Sequence, residues 1–184
     1  EEACRIEIDK LGRAVGKQDQ YISAYGGLTC FEFTADDKVR VSPLQISHET
    51  LRDLEERLLL FFTGYARNAG AVLDDQRRRS ERGEASMIEN LDAVVRLGKL
   101  VKETLENGDT GGFADLMHEH WEVKRKRLQD AGANQDDTIN RWYKIGRANG
   151  ARGEKQGGAG GLGKEGRKPG PPAANSLSPC AAIA

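Results

Sequence analysis

A chain of 184 residues with 38% hydrophobic content is long enough to bury one sizeable core or parts of two smaller ones. Lys and Arg number 28 against 29 Asp and Glu, a formal net charge of -1, so no global field directs the chain to nucleic acid or an anionic membrane. Cys4, Cys30 and Cys180 are too few and too widely spaced for a disulfide framework or a zinc site, and no apolar run approaches the ~20 residues that span a bilayer, so a reducing cytoplasm is the expected location.

Residues 1–11 carry Cys4, Ile8 and Leu11 at helical spacing, with Gly12 where a helix would stop. The charged opening EEACRIEIDK is unlike a signal peptide, and a chain that begins inside a helix reads as a fragment. Glu7, near the end of this helix, is by its chemistry alone a solvated carboxylate. The stretch LGRAVGKQDQYISAYGG then places one carboxylate, Asp19, in a glycine-bounded polar loop. Gly12 and Gly16 permit a tight backbone path, and Lys17, Gln18 and Gln20 surround Asp19 with donors. A carboxylate beside a cation suits a group that accepts a proton from a hydroxyl with phosphate nearby; it also suits an Asp that only holds its own loop together.

Residues 28–34 and 38–44 are β-branched and aromatic runs separated by Ala35-Asp36-Asp37, the pattern of a hairpin. Phe31 and Phe33 share one face, with Val39 and Val41 as their partners, and Pro43 closes the second strand. Ser47 can cap a short helix whose apolar face would be Leu51, Leu54 and Leu58. Residues 58–62 are continuously apolar and stop at Thr63-Gly64, which predicts a strand buried on both sides, the first of a second domain, followed by a helix over 65–79. Arg77, Arg78, Arg79 and Arg82 form a dense basic patch without interleaved aromatics, which reads as a solvated helix end and not a nucleic-acid surface.

Met87, Leu91, Val94, Val101 and Leu105 make a stripe on a helix over 86–106, ended by Asn107-Gly108. A further helix, begun near Asp109 or Thr110, carries Phe113, Leu116, Met117, His120, Trp121 and Leu128. His118 and His120 sit two apart, pointing about 200° from each other on a helix, so they do not make a zinc pair, and His120 reads as a core or rim histidine. A last helix starts near Asp136-Asp137 and turns Ile139, Trp142 and Tyr143 inward. From about residue 163 the composition is Gly, Pro, Ala, Ser and Lys, too poor in apolar surface to order itself, so this tail is expected to be disordered and removable.

The run GKQDQYISAYGG followed by FEF and VRVSPL resembles the Asp-containing motif of the GHMP small-molecule kinases. FFTGYARNAGAVLDDQ, LMHEHWEVKRKRL and INRWYKIGRANGA follow in the family's order, so the resemblance covers residues 1–151. Within the family the chain is most similar to the heptose 7-phosphate kinases. The resemblance implies an α+β chain in which residues 1–46 end an N-terminal α/β domain (ribosomal protein S5 domain 2-like) and residues 47–151 form the largely helical GHMP kinase C-terminal domain. Residues 152–184 would be a Gly/Pro-rich tail, disordered or read in a shifted frame.

The activity implied is transfer of the γ-phosphate of ATP, with Mg2+, to the anomeric hydroxyl of a heptose 7-phosphate, with no nucleic acid or membrane partner. A galactose- or fucose-type kinase and a non-catalytic binding remnant are the alternatives. By resemblance, Asp19 would accept the hydroxyl proton, Lys17 would keep Asp19 ionised and steady phosphate charge, and Glu7 would hold magnesium. Tyr25, Gly26 and Gly27 would shape the sugar pocket, and Arg67 is the candidate for the distal phosphate. Gly157, Gly158, Gly160 and Gly161 would belong to a glycine-rich nucleotide loop, in which Glu154 replaces a glycine and Leu162 interrupts the run. The family's phosphate-binding loop would precede Glu1, so the polypeptide alone is expected to be inactive.

Overall fold

The computed structural model of the protein describes residues 1–13, 15–60, 69–130, 137–153 and 182–183. Its first helix, α1 (Glu2–Cys4), runs on as a π-helical stretch, Arg5–Lys10. There the Leu11 amide donates to the Ile6 carbonyl five residues back, at 2.9 Å. Cys4 and Ile8 are buried as their spacing requires, but Leu11 is exposed. The wider π turn carries the next residue past the inward-facing stripe that a 3.6-residue period would have given it.

The expected polar loop around Asp19 is instead the start of a helix, α2 (Gln18–Tyr25), with Lys17 at its N-cap. The run from Gln18 to Tyr25 contains no residue hostile to a helix, and an acidic side chain in the first turn complements the positive end of the helix dipole. Strands β1 (Thr29–Phe33) and β2 (Val39–Pro43) pair antiparallel, with Phe31 opposite Val41 and Phe33 opposite Val39, as alternation in the sequence predicts. A two-residue strand, β3 (Ala182–Ile183), pairs antiparallel with the other edge of β1, giving the order β2-β1-β3. The composition of the tail does not foretell a strand at these two residues, and residues 154–181 lie outside the described ones.

The sheet separates two core clusters. On one face Cys4, Ile8, Tyr21 and Phe31 pack together, flanked by Val15, Ile22, Phe33 and others. Tyr21 meets Phe31 and Phe33 edge-on, at centroid separations of 5.9 and 6.2 Å, the arrangement aromatic quadrupoles favour. The other cluster joins Cys30 and Leu44 to Leu54 of α3 (His48–Arg57) and Leu105 of α5 (Ala85–Glu106). The stretches on either side of residue 46 therefore share a core.

Ser47 caps α3 as expected, its hydroxyl accepting from the Thr50 amide at 3.0 Å. The buried positions of α3 are Thr50 and Leu54, not the expected Leu51–Leu54–Leu58 face. Leu51 sits at the rim, and Leu58, at φ -86° and ψ 128°, has already left the helix. Leu58, Leu59 and Leu60 are exposed coil, Leu60 completely so, where a doubly buried strand over 58–62 was expected; residues 61 and 62 lie outside the described ones. A buried strand needs hydrogen-bonded neighbours, and among the described residues nothing pairs with these three.

Helix α4 (Ala69–Glu81) turns into α5 at Gly83, which takes φ +65°. Met87, Leu91, Leu97 and Leu105 form the buried stripe of α5. Gly108, at φ +77°, turns the chain into α6 (Thr110–Asp130), whose first turn is capped by Asp109 accepting from the Gly112 amide at 2.7 Å. The Asn90 side chain donates through Nδ2 to the Val123 carbonyl (2.8 Å), joining the start of α5 to the far part of α6. Thr110 donates to Asp53, tying α6 to α3. Helix α7 (Asp137–Ala148) buries Ile139 and Tyr143 against Trp121, while Trp142, expected to point inward, is 41% exposed. Adjacent helical residues are about 100° apart, and here Tyr143 takes the inward place. Beyond α7, Gly153 passes so close to α6 that a Cβ there would lie 1.9 Å from the Ala114 carbonyl oxygen.

Candidate active site around Asp19 and Glu7

The π-helical stretch presents Glu7 towards α2. One carboxylate oxygen accepts from Gln20 Nε2 at 2.6 Å and the other from Arg13 Nη1 at 2.9 Å. The Gln20 hydrogen bond first, and the Arg13 hydrogen bond and charge after it, hold the Glu7 carboxyl below the usual carboxylate range. Gln20 is the residue after Asp19, so this network fixes the turn of helix on which Asp19 stands. Gly12, at φ +59°, lets the chain reverse between the two helices.

Asp19 is exposed in the first turn of α2, and its backbone carbonyl accepts from the Ser23 hydroxyl at 2.6 Å. The ammonium of Lys17, two residues before it, makes its ion pair with Asp37, with Nζ 2.5 Å from Oδ1. Asp37 lies in the hairpin turn at φ +62°, a left-handed conformation that Asp tolerates better than most residues. The hairpin tip thus holds the N-cap residue of the Asp19 helix. Tyr25 ends that helix, 61% exposed and stacked on Tyr21 at 6.2 Å with 4° between the ring planes. Gly26 and Gly27 follow at φ +67° and +62°, a path ordinary side chains strain to adopt. The Thr29 hydroxyl pins this turn by donating to the Gly26 carbonyl at 2.9 Å.

Magnesium is the group the resemblance assigns to Glu7. Each oxygen of that carboxylate already faces a donor, one of them a guanidinium, whose charge opposes a second cation. Gln20 Oε1 is buried without a hydrogen-bond partner, so the network has one open acceptor. No group of three His, Cys, Asp or Glu residues with metal-site geometry occurs among the described residues. As arranged, Glu7 fits an ion-paired anchor for α2 and does not fit a magnesium ligand.

The structure thus brings Glu7, Lys17, Asp19, Tyr25, Gly26 and Gly27 onto one short helix and the segments flanking it. Arg67, Gly157, Gly158, Gly160 and Gly161 lie outside the described residues. Arg13 and Asp37, the ionic partners of Glu7 and Lys17, were not singled out in the sequence. The Asp36-Asp37 turn was visible there, but its partner 20 residues earlier was not. Elsewhere, Arg77 pairs with Asp74 and Glu81, and Arg79 with Glu84 and Asp75, so much of the basic patch is internally neutralised. His118 meets the Tyr143 hydroxyl through Nδ1. Two clefts, of about 790 and 660 Å³, are lined by residues other than Glu7 and Asp19. No described helix is long and apolar enough to cross a membrane.

Over 158 residues, 86% of its length, the chain is 32% identical to the D-glycero-alpha-D-manno-heptose 7-phosphate kinase of Campylobacter jejuni, of which it spans 45%. Over 121 residues, 63% of its length, it is 30% identical to the bifunctional fucokinase/GDP-fucose pyrophosphorylase of Arabidopsis thaliana, of which it spans 11%. No protein-family model matches the chain. It therefore spans less than half the length of each of these curated relatives.

Proposed function

The chain is related to the GHMP-type sugar kinases, and from that premise we propose that it carries the proton-accepting part of a cytoplasmic, ATP-dependent kinase acting on the anomeric hydroxyl of a heptose 7-phosphate. The observation that carries this reading is Asp19 itself: an exposed carboxylate in the first turn of a helix whose N-cap and next residue are both tied down, Lys17 by Asp37 and Gln20 by Glu7. The 32% identity to a heptose 7-phosphate kinase over 158 residues supports the choice of substrate.

In the reaction, the anomeric oxygen forms a bond to the γ-phosphorus of ATP, the bond from that phosphorus to the bridging oxygen of ADP breaks, and the hydroxyl proton passes to the Asp19 carboxylate. Phosphoryl transfer asks mainly for positioning and for stabilisation of developing charge. Lys17 is two residues from the acceptor and can supply positive charge if Asp37 releases it. Tyr25 offers an exposed ring face to the sugar, and the Gly26-Gly27 backbone allows close approach.

The test is transfer of labelled phosphate from ATP to heptose 7-phosphate by the longest polypeptide in which this sequence occurs. Asp19→Asn keeps the shape and removes the acceptor, so turnover should fall roughly 10²-fold or more with KM little changed. Undiminished turnover in Asp19→Asn sinks the assignment of the base, and absence of transfer to any sugar or sugar phosphate by the unsubstituted protein sinks the kinase reading.

A further inference from the structure

Glu7 stands where three segments meet: the π-helical stretch, the reversal at Gly12 and the first turn of α2. Its backbone carbonyl accepts from the Arg13 amide at 3.1 Å and its side chain from the Arg13 guanidinium at 2.9 Å, so Arg13 is tied to it twice. The other carboxylate oxygen takes Gln20 Nε2 at 2.6 Å, a part-buried contact between residues 13 apart in sequence. The Gln20 amide cannot be turned over in place, because its Oε1 would then face a carboxylate oxygen with no proton between them. Glu7 therefore fixes the orientation of Gln20, and the buried Oε1 left without a partner is the cost that accompanies this contact.

We propose that Gln20 and Arg13 are positioning residues for Asp19: through Glu7 they fix the first turn of α2, and with it the place of the neighbouring Asp19 carboxylate. This rests on the kinase reading above. Successive helical residues differ by about 100° in direction and ~1.5 Å along the axis. With Gln20 held on one side of the helix, Asp19 is held on another, where it is exposed. Lys17, the N-cap residue, makes no side-chain capping hydrogen bond, and its ion pair reaches an Asp37 side chain 66% exposed, where water and salt weaken it. The Glu7 side chain is 30% exposed, so Gln20 carries the better shielded tie, and Arg13, 60% exposed, is the weaker of the two partners of Glu7. The chemistry served is proton acceptance, which needs the carboxylate within ~2.6–3.2 Å of the reacting hydroxyl. A misplacement of about 1 Å can cost roughly 10²-fold in rate.

The experiment uses the longest polypeptide in which this sequence occurs, with Gln20→Ala, Arg13→Ala and Asp19→Asn made singly and Gln20→Ala combined with Asp19→Asn. Two quantities are read: kcat and KM for transfer of labelled phosphate from ATP to heptose 7-phosphate, and amide hydrogen exchange in the peptide over residues 17–25. Gln20→Ala should lower kcat about tenfold or more with KM for both substrates little changed, and Arg13→Ala should lower it less. In the Asp19→Asn background Gln20→Ala should cost no further turnover, since no acceptor is left to misplace, whereas a loss of folded protein would multiply through. Exchange in Gln20→Ala should quicken at the α2 amides from Tyr21 onward, whose hydrogen bonds begin at the Lys17 carbonyl. Undiminished kcat in Gln20→Ala beside a crippled Asp19→Asn overturns the proposal and leaves the kinase reading standing, and a loss that persists in full in the Asp19→Asn background overturns it too. Absence of transfer by the unsubstituted protein sinks the kinase reading, and the exchange measurement then decides the brace by itself. Unchanged exchange over residues 17–25 in Gln20→Ala overturns the proposal in either case.

Discussion

At the scale of single residues, ion pairing decides which charges are available for chemistry. Glu7 and Lys17, both read from the sequence as site residues, are committed to Arg13 and Asp37, while Asp19 stands exposed between their attachments. The residue types were legible and their partners were not, because Arg13 lies outside any helix beyond Gly12 and Asp37 is a left-handed hairpin residue, positions that leave no periodic mark. Arg79 makes the same point in the turn between α4 and α5. Its guanidinium donates to both oxygens of Glu84, and with help from Ser86 it holds the Glu84 carboxyl at about 2 against an ordinary 4.5. A folded-state value below the unfolded one means that the ionised pair stabilises the fold fully above pH 4.5 and that this contribution disappears as pH falls towards 2. Glu84→Gln should therefore flatten the acid dependence of stability in that window, with little effect on its slope near neutrality. Urea midpoints measured across the range check this; parallel curves for the two proteins would remove the ion pair from the account.

At the scale of elements, the sequence was read best where a period is long and one kind of residue repeats. The β1–β2 register followed from two-residue alternation, and the ends of α5 from its apolar stripe and the Asn107-Gly108 stop. Leu97 was missed although it sits three residues after Val94 on the same stripe. Two failures fall on apolar residues at helix ends, Leu11 and Leu58, where one added or lost residue moves a side chain from core to solvent, and a third on Trp142 within α7, where the adjacent Tyr143 takes the inward place. Capping was legible because it is local. Ser47 satisfies the Thr50 amide and also contacts the Thr50 hydroxyl at 2.8 Å, so Ser47→Ala should cost about 1 kcal/mol and Ser47→Asp should recover most of it. Equal stability of Ser47→Ala and the unsubstituted protein in denaturant titrations would mean that α3 is held by Leu54 and the Asp53–Thr110 contact alone.

At the scale of the whole molecule, one cluster decides how the candidate site is supported. Asp19 is exposed on a helix anchored in the first core, with Tyr21 of that helix packed on Phe31, and the opposite face of the strand packs through Cys30 onto Leu54 and Leu105. The helix α5 is therefore coupled to the Asp19 helix through the thickness of one strand, a link the sequence could not display because Cys30 and Leu105 are 75 positions apart. Leu105 is 1% exposed, so Leu105→Ala opens a cavity and should cost roughly 2–5 kcal/mol. If the two stretches unfold as one unit, amide hydrogen exchange should accelerate by the same factor in β1, in α2 and in α5, since all would open through the same global transition. Should Leu105→Ala speed exchange in α5 and α6 while Phe31 and Tyr21 keep their protection, the sheet and the Asp19 helix form a separately stable unit. The site would then owe its rigidity to the first core and the hairpin tip alone.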